Sequence, residues 1–322
     1  MKKGLLIILY LFVILPCFCQ IGTKNVAAPK VSKQQETTAA FDSTRNYLGG
    51  KNVFSYKGQQ LFVLPVSKGL TKHGYRSFYT IDYNPASNKY VRYGNASETS
   101  EYNTKYEDLA NKYFYVDSVR RYEMSVIKTH YFLYLTEKDN PTNRCCFVYN
   151  PDSELDFPFI VVSHFNYLKN RYVGKKFVIA WNYLKRMDIV TGETIPISDD
   201  TKTIWTATDI SIVNDDYQKL SLIVENGSTT SCVSLESFKK ALTSDDARRV
   251  YEKSEWDKLV KTYGLSMMQC AFSGKIKVGM PLKLLIMSWG RPDKINSASY
   301  GSQYVYGNQY VYVRGGKITS WN

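Results

Sequence analysis

Histidine is scarce in this chain. His73, His130 and His164 are the only three, and none falls in an HxH, HExxH or HxxE arrangement. A metal site built on local spacing is therefore not written into the sequence. No CxxC pair occurs, which removes the usual signatures of zinc ribbons and redox dithiols. A G-x-S-x-G elbow and a Gly-rich phosphate loop are absent too. Three acid pairs, Asp199-Asp200, Asp215-Asp216 and Asp245-Asp246, lack the alternating oxygen ligands of a calcium loop. The chain is basic, with 42 Lys+Arg against 29 Asp+Glu and a net charge of +13, yet no block of five or more basic residues appears. That spread suits a solvated surface rather than a nucleic-acid arm. No catalytic, cofactor-binding or metal-binding set follows, and no nucleic-acid partner.

The only long hydrophobic run stands at the amino terminus. "MKKGLLIILYLFVILPCFC" has Lys2 and Lys3 before an apolar stretch, then Cys17-Phe18-Cys19, the pattern of a signal peptide over residues 1–19. The run is shorter than the ~20 residues that span a bilayer, so no transmembrane segment is expected after cleavage. Lipidation at Cys17 or Cys19 is the alternative processing. The protein is thus expected to be exported, to the periplasm, the outer membrane or the cell surface of a Gram-negative envelope. Counter-charges available there are an acidic partner protein, anionic lipid or acidic glycan. Cys145, Cys146, Cys232 and Cys270 remain after cleavage, and both disulfides and packed thiols are open to them. A cysteine hydrolase using Cys146 with His130 or His164 is formally open. The apolar run "RCCFVY" around Cys146 argues instead for a buried thiol.

Residues 20–45 are polar and aperiodic and read as a linker. A phrase then echoes three times, "LGGKNVF" from residue 48, "LANKYFY" from 109 and "VGKKFVI" from 173, each followed by a hairpin-like stretch. In the third stretch, Asn226-Gly227 is a tight-turn pair. Repeats of roughly 60 residues with several short strands fit small β-barrels. Modules are therefore expected at 46–106, 107–169 and 170–236, and they resemble SH3-like modules of exported bacterial proteins in size and patterning.

From residue 237 the period changes to helical. Ser244-Asp245-Asp246 reads as a helix cap, Trp256, Leu259, Val260 and Tyr263 as an apolar stripe, and Gly264 as its stop. Pro281 suits a first helical turn, and Leu282, Leu285, Ile286 and Trp289 form a second stripe ended by Gly290 and Pro292. A three-stranded meander follows, with Gly307-Asn308 and Gly315-Gly316 as turns. Strand parity places Tyr304, Tyr306, Val311, Val313 and Ile318 under the helices. It places Val305, Tyr310, Tyr312, Arg314, Lys317, Thr319 and Trp321 on the wet face. Tyr310, Tyr312, Arg314, Lys317 and Trp321 are the candidate interaction surface.

The order helix, "GM", helix, "WGRPDKIN", Tyr-rich hairpin and "GGKITSW" over about residues 274–322 resembles the SmpA/OmlA (BamE-like) domain. Gly279-Met280, Gly290, Pro292-Asp293, Tyr306-Gly307 and Gly316-Lys317 carry the likeness. The resemblance implies helices packed on a meander, with non-enzymatic scaffold or interaction roles in envelope assembly. The expectation is thus a β-rich amino-terminal region followed by an α+β domain at 237–322. It would act as an interaction scaffold, or as a glycan or cell-wall binding module using its basic and tyrosine-rich surfaces.

Overall fold

The computed structural model describes residues 39–85, 91–123, 129–180, 184, 186–189, 191, 193–195, 204–212, 220–227, 229–244 and 247–322. The expected signal peptide, Cys17, Cys19 and most of the expected linker lie outside the described residues.

Short runs rich in apolar and aromatic residues build a first sheet from β1 (Gln60–Val63), β2 (Phe78–Thr80), β3 (Tyr113–Glu123), β4 (Thr129–Glu137), β5 (Arg144–Tyr149) and β6 (Phe159–Val161). All pairs are antiparallel, in the order β2-β5-β4-β3-β1-β6. Leu133, Leu135, Cys145, Phe147 and Tyr149 alternate onto one face and are buried there with Phe78, Phe114 and Phe159. Short helix α1 (Tyr106–Leu109) and the 3-10 turns of Gly50–Tyr56 cover that core.

The chain leaves β6 straight into α2 (Val162–Tyr172), then forms β7 (Lys176–Ile179), β8 (Ile204–Ile212), β9 (Leu220–Asn226), β10 (Thr229–Ser234), α3 (Leu235–Thr243) and β11 (Val250–Glu252). This second sheet has the order β10-β9-β8-β7-β11. The β9–β10 turn starts one residue later than the expected Asn226-Gly227 pair, because Asn226 ends β9 opposite Thr229 and Gly227, at φ +55°, opens the turn. Helices α2 and α3 bury Phe165, Leu168, Phe238 and Leu242 against Phe177, Ile179 and Val250.

The last unit comprises α4 (Lys253–Tyr263), α5 (Leu265–Phe272), α6 (Leu282–Trp289), β12 (Lys294–Ala298), β13 (Gly301–Tyr306), β14 (Gln309–Arg314) and β15 (Lys317–Trp321). Its core joins Trp256, Phe272, Leu284, Leu285, Val311, Val313 and Ile318 to Val178, Ala180 and Tyr251 of the second sheet. Strands β7 and β11 therefore present alternate residues to two cores. Between these layers, the buried Arg249 donates through Nη1 to Met287 O (3.4 Å) and through Nη2 to Ser288 O (2.6 Å). Those are orphan carbonyls at the end of α6, where a cation is favoured.

The β-rich plus α+β class is as expected, but none of the three sheets closes into a barrel. The module boundaries expected at 106/107, 169/170 and 236/237 run through α1, α2 and α3. Strands from either side of 106/107 share one sheet. The echoed phrase has a local cause, since its second and third copies mark a helix turning into a strand. Its first copy forms 3-10 turns.

The end of the expected linker is docked. Phe41 packs 5.7 Å from Tyr56, and just past the linker the Asn46 side chain donates to Phe159 O (2.8 Å) and accepts from Val161 N (2.8 Å). Ser244 ends α3 instead of capping α4, which starts after Glu252; Asp245 and Asp246 lie outside the described residues. The meander has four strands rather than three. Strand β12 is exposed along its whole length, Ile295 included, and is held by backbone pairing to β13.

Candidate functional site

Local signals set up the carboxyl-terminal sheet. Pro281 stands at the N-cap of α6, and Gly290 stops the helix at φ +85° with its N–H on Ile286 O (2.8 Å). Pro292 then blocks its resumption. Asp293 accepts from Gly307 N (2.7 Å), so the residue after the stop fixes the β13–β14 turn. Gly315 and Gly316 both adopt positive φ, +57° and +72°, as a two-residue hairpin turn of the twisted kind requires. The segment at Gly279 covers the free edge of β15, with Gly279 N on Ile318 O (2.8 Å) and Ile318 N on Met280 O (2.9 Å).

One face of this sheet is sealed. Tyr304, Val311, Val313 and Ile318 are buried under the helices. Tyr306 is half-buried, its ring 5.3 Å from Trp289 and its hydroxyl donating to Gly290 O (3.0 Å). Burial pushes its hydroxyl pKa up to about 12. Helix α6 is apolar nearly all round because two layers enclose it. Leu284 and Met287 are buried as well as Leu285, while Ile286 is only half-buried.

The other face is open. Cross-strand register sets Lys294, Val305 and Tyr310 in one row, Asn296, Gln303 and Tyr312 in the next, and Arg314 opposite Lys317 at the hairpin end. Asn296 Nδ2 donates to Gln303 Oε1 (2.9 Å) and Gln303 Nε2 to the Tyr312 hydroxyl (3.0 Å), a ladder that orients the Tyr312 ring. Tyr310 and Tyr312 are 36 and 38% exposed. Lys294, Arg314 and Lys317 have no ion-pair partner among the described residues. Like charges placed directly opposite, as Arg314 and Lys317 are, oppose sheet pairing, so folding alone does not explain them.

Trp321 departs from the expected surface. Register shifts in β14–β15, so Tyr312 faces Ser320 and Val311 faces Trp321, with Thr319 as the extra residue. The Thr319 hydroxyl donates to Tyr312 O (3.1 Å) within this bulge. Parity counted from Lys317 puts Trp321 beside Tyr310. The inserted residue moves it to the helix side, at the rim. Sequence parity could not see the bulge, nor the roles of Asp293 and Gln303, whose partners lie across the hairpin.

The thiols are apart from this face. Cys145, Cys146 and Cys232 are buried thiols, and Cys270 is a half-buried one. Burial pushes the Cys146 pKa up to about 12, which disfavours the thiolate a nucleophile needs. Cys146 faces Tyr79 and Tyr134 across the sheet, whereas His130 faces Tyr122. His164 Nδ1 lies 2.8 Å from Ser43 O, and burial holds its pKa below the ordinary value. Neither histidine is brought against Cys146. Among the described residues, no cluster of His, Cys, Asp and Glu is arranged to hold a metal, and no helix is long and apolar enough to cross a membrane.

Comparison with protein-family models, with curated proteins and with solved structures returned no match for this chain.

Proposed function

We propose that this is an exported, non-enzymatic cell-envelope protein that works as an interaction or assembly scaffold. Its BamE-like α+β unit grips an acidic partner protein through the open face of the carboxyl-terminal sheet. One observation carries the reading: Tyr310, Tyr312, Lys294, Arg314 and Lys317 share a face that contains no side-chain carboxylate, while the opposite face is covered by helices. Tyr and Arg are the residues that dominate binding energy at protein interfaces, and an all-cationic rim selects an acidic surface. The amino-terminal leader of the sequence and the absence of a recognisable reaction signature support the envelope scaffold role.

The test is a pull-down from Gram-negative envelope extract with the mature chain as bait. Tyr310→Ala/Tyr312→Ala and Arg314→Glu/Lys317→Glu should each remove the acidic partner, and capture should weaken with added salt. Trp321→Ala, on the other side of the sheet, should leave capture intact. An unchanged partner set with both double variants overturns the reading.

A further inference from the structure

The first sheet carries an aromatic cleft on the side opposite its core. The loop after β2, Ile81 to Pro85, forms one wall of a cleft of about 320 Å³, whose other lining comes from Arg120 and Tyr122 of β3 and Phe132 and Tyr134 of β4. Small-ligand sites run from ~300 to 1,000 Å³, so the cleft stands at the small end. Strand parity explains the gathering: Arg120 faces Phe132 across the ladder, and Tyr122 and Tyr134 lie one pair to either side on the same surface.

Phe132 is the buried floor. Tyr122 stacks on it at 5.3 Å and 16°, Tyr83 meets it edge-on at 5.9 Å, and Tyr134 lies perpendicular at 6.5 Å. Tyr83 is itself stacked on Tyr79 at 4.0 Å and 12°, which stiffens the loop wall. The rings of Tyr83, Tyr122 and Tyr134 line the space together with Asp82 and Asn84. Arg120 is exposed and has no ion-pair partner among the described residues.

We propose that this cleft binds a short saccharide carrying a carboxylate, such as a hexuronate oligomer. The apolar C–H face of a pyranose stacks on Tyr122 and Tyr83, as flat ligands do on aromatic platforms. Vicinal hydroxyls take Asp82 and Asn84 as hydrogen-bond partners. The sugar carboxylate takes the planar fork of Arg120, whose geometry matches it. The overall charge of +13 favours approach of such an anion.

Calorimetric titration of the mature chain with trigalacturonate, and with its fully methyl-esterified form, decides the matter. The acid should bind and the ester should bind at least tenfold more weakly. Arg120→Gln should weaken the acid about tenfold and leave the ester unchanged. Tyr122→Leu, which keeps apolar bulk and removes the flat ring, should weaken both at least tenfold, with circular dichroism confirming the fold. Tyr310→Ala/Tyr312→Ala should change neither, which keeps this site separate from the proposed protein-binding face. No heat from trigalacturonate at millimolar concentration overturns the proposal. Equal binding of acid and ester overturns it, as does wild-type binding by Tyr122→Leu or Arg120→Gln. Binding of a proline-rich decapeptide with the saccharide silent overturns it too, since aromatic grooves also take such peptides.

Discussion

Around the first sheet, Tyr56 and Tyr149 are sealed among Phe157, Phe147 and Phe159. Their hydroxyls are tied to the chain, with Tyr56 donating to Asn46 O (2.9 Å) and accepting from Leu48 N (2.8 Å), and Tyr149 donating to Leu48 O. Burial raises both hydroxyl pKa values, with desolvation as the main cause. On the last sheet, Tyr310 and Tyr312 stand in solvent among cations, and the one hydroxyl that is fixed accepts from a side chain. The same residue type is a buried strut in one region and an exposed ring in the other. A count of 27 tyrosines cannot separate these uses. What separates them is whether the hydroxyl is spent on a buried backbone group.

That contrast breaks most readily in the first core. Phe147→Ala should cost about 3–5 kcal/mol in chemical denaturation, because it empties a site fully enclosed by rings. Tyr312→Ala should stay within ~0.5 kcal/mol, as exposed positions usually do. Comparable losses at the two sites would erase the distinction. A more modest loss tests the joint between the regions. Arg249→Met keeps the stem but strips Met287 O and Ser288 O of their donor, which should cost about 1–3 kcal/mol. Amide exchange should quicken first in α6, and protection of α6 at the wild-type level would show the guanidinium to be idle.

The weakest of these perturbations concerns His164, which pins Ser43 to α2. Burial, the nearby Lys239 adding to it, holds its folded-state pKa below the unfolded value of about 6.5. Stability from keeping it neutral is therefore complete above about pH 6.5, and is lost as pH falls from there through the folded value. His164→Gln should flatten this part of the pH–stability curve. A variant curve parallel to wild type through that window would discard the linkage.

The carboxyl-terminal unit was largely legible because its chemistry is local. The stripe of Trp256, Leu259, Val260 and Tyr263 lies on α4, Gly264 and Gly290 end helices at positive φ, and both glycine turns fall where the residue pairs suggest. The face containing Tyr310, Tyr312, Arg314 and Lys317 follows from a period of two. Trp321 escaped because a bulge adds one residue that no side chain announces. The first sheet escaped in its pairing. Leu61 of β1 joins Phe114 of β3 and Val161 of β6, partners set by long-range burial rather than by a turn. The aromatic cleft has a faint signal in the alternation Arg120, Tyr122 and Phe132, Tyr134. Only the register between β3 and β4, and the return of the loop at Tyr83, gather those rings.

The double-sided strands β7 and β11 carry one more implication. Phe177, Ile179 and Val250 look into one core while Val178, Ala180 and Tyr251 look into the other. Trimming the chain after residue 252 would strip a whole apolar flank bare to water, and the remaining stump would clump. The tail is thus no detachable cassette. Any load on it is mechanically coupled, through a shared pair of ribbons, to the rest of the molecule upstream.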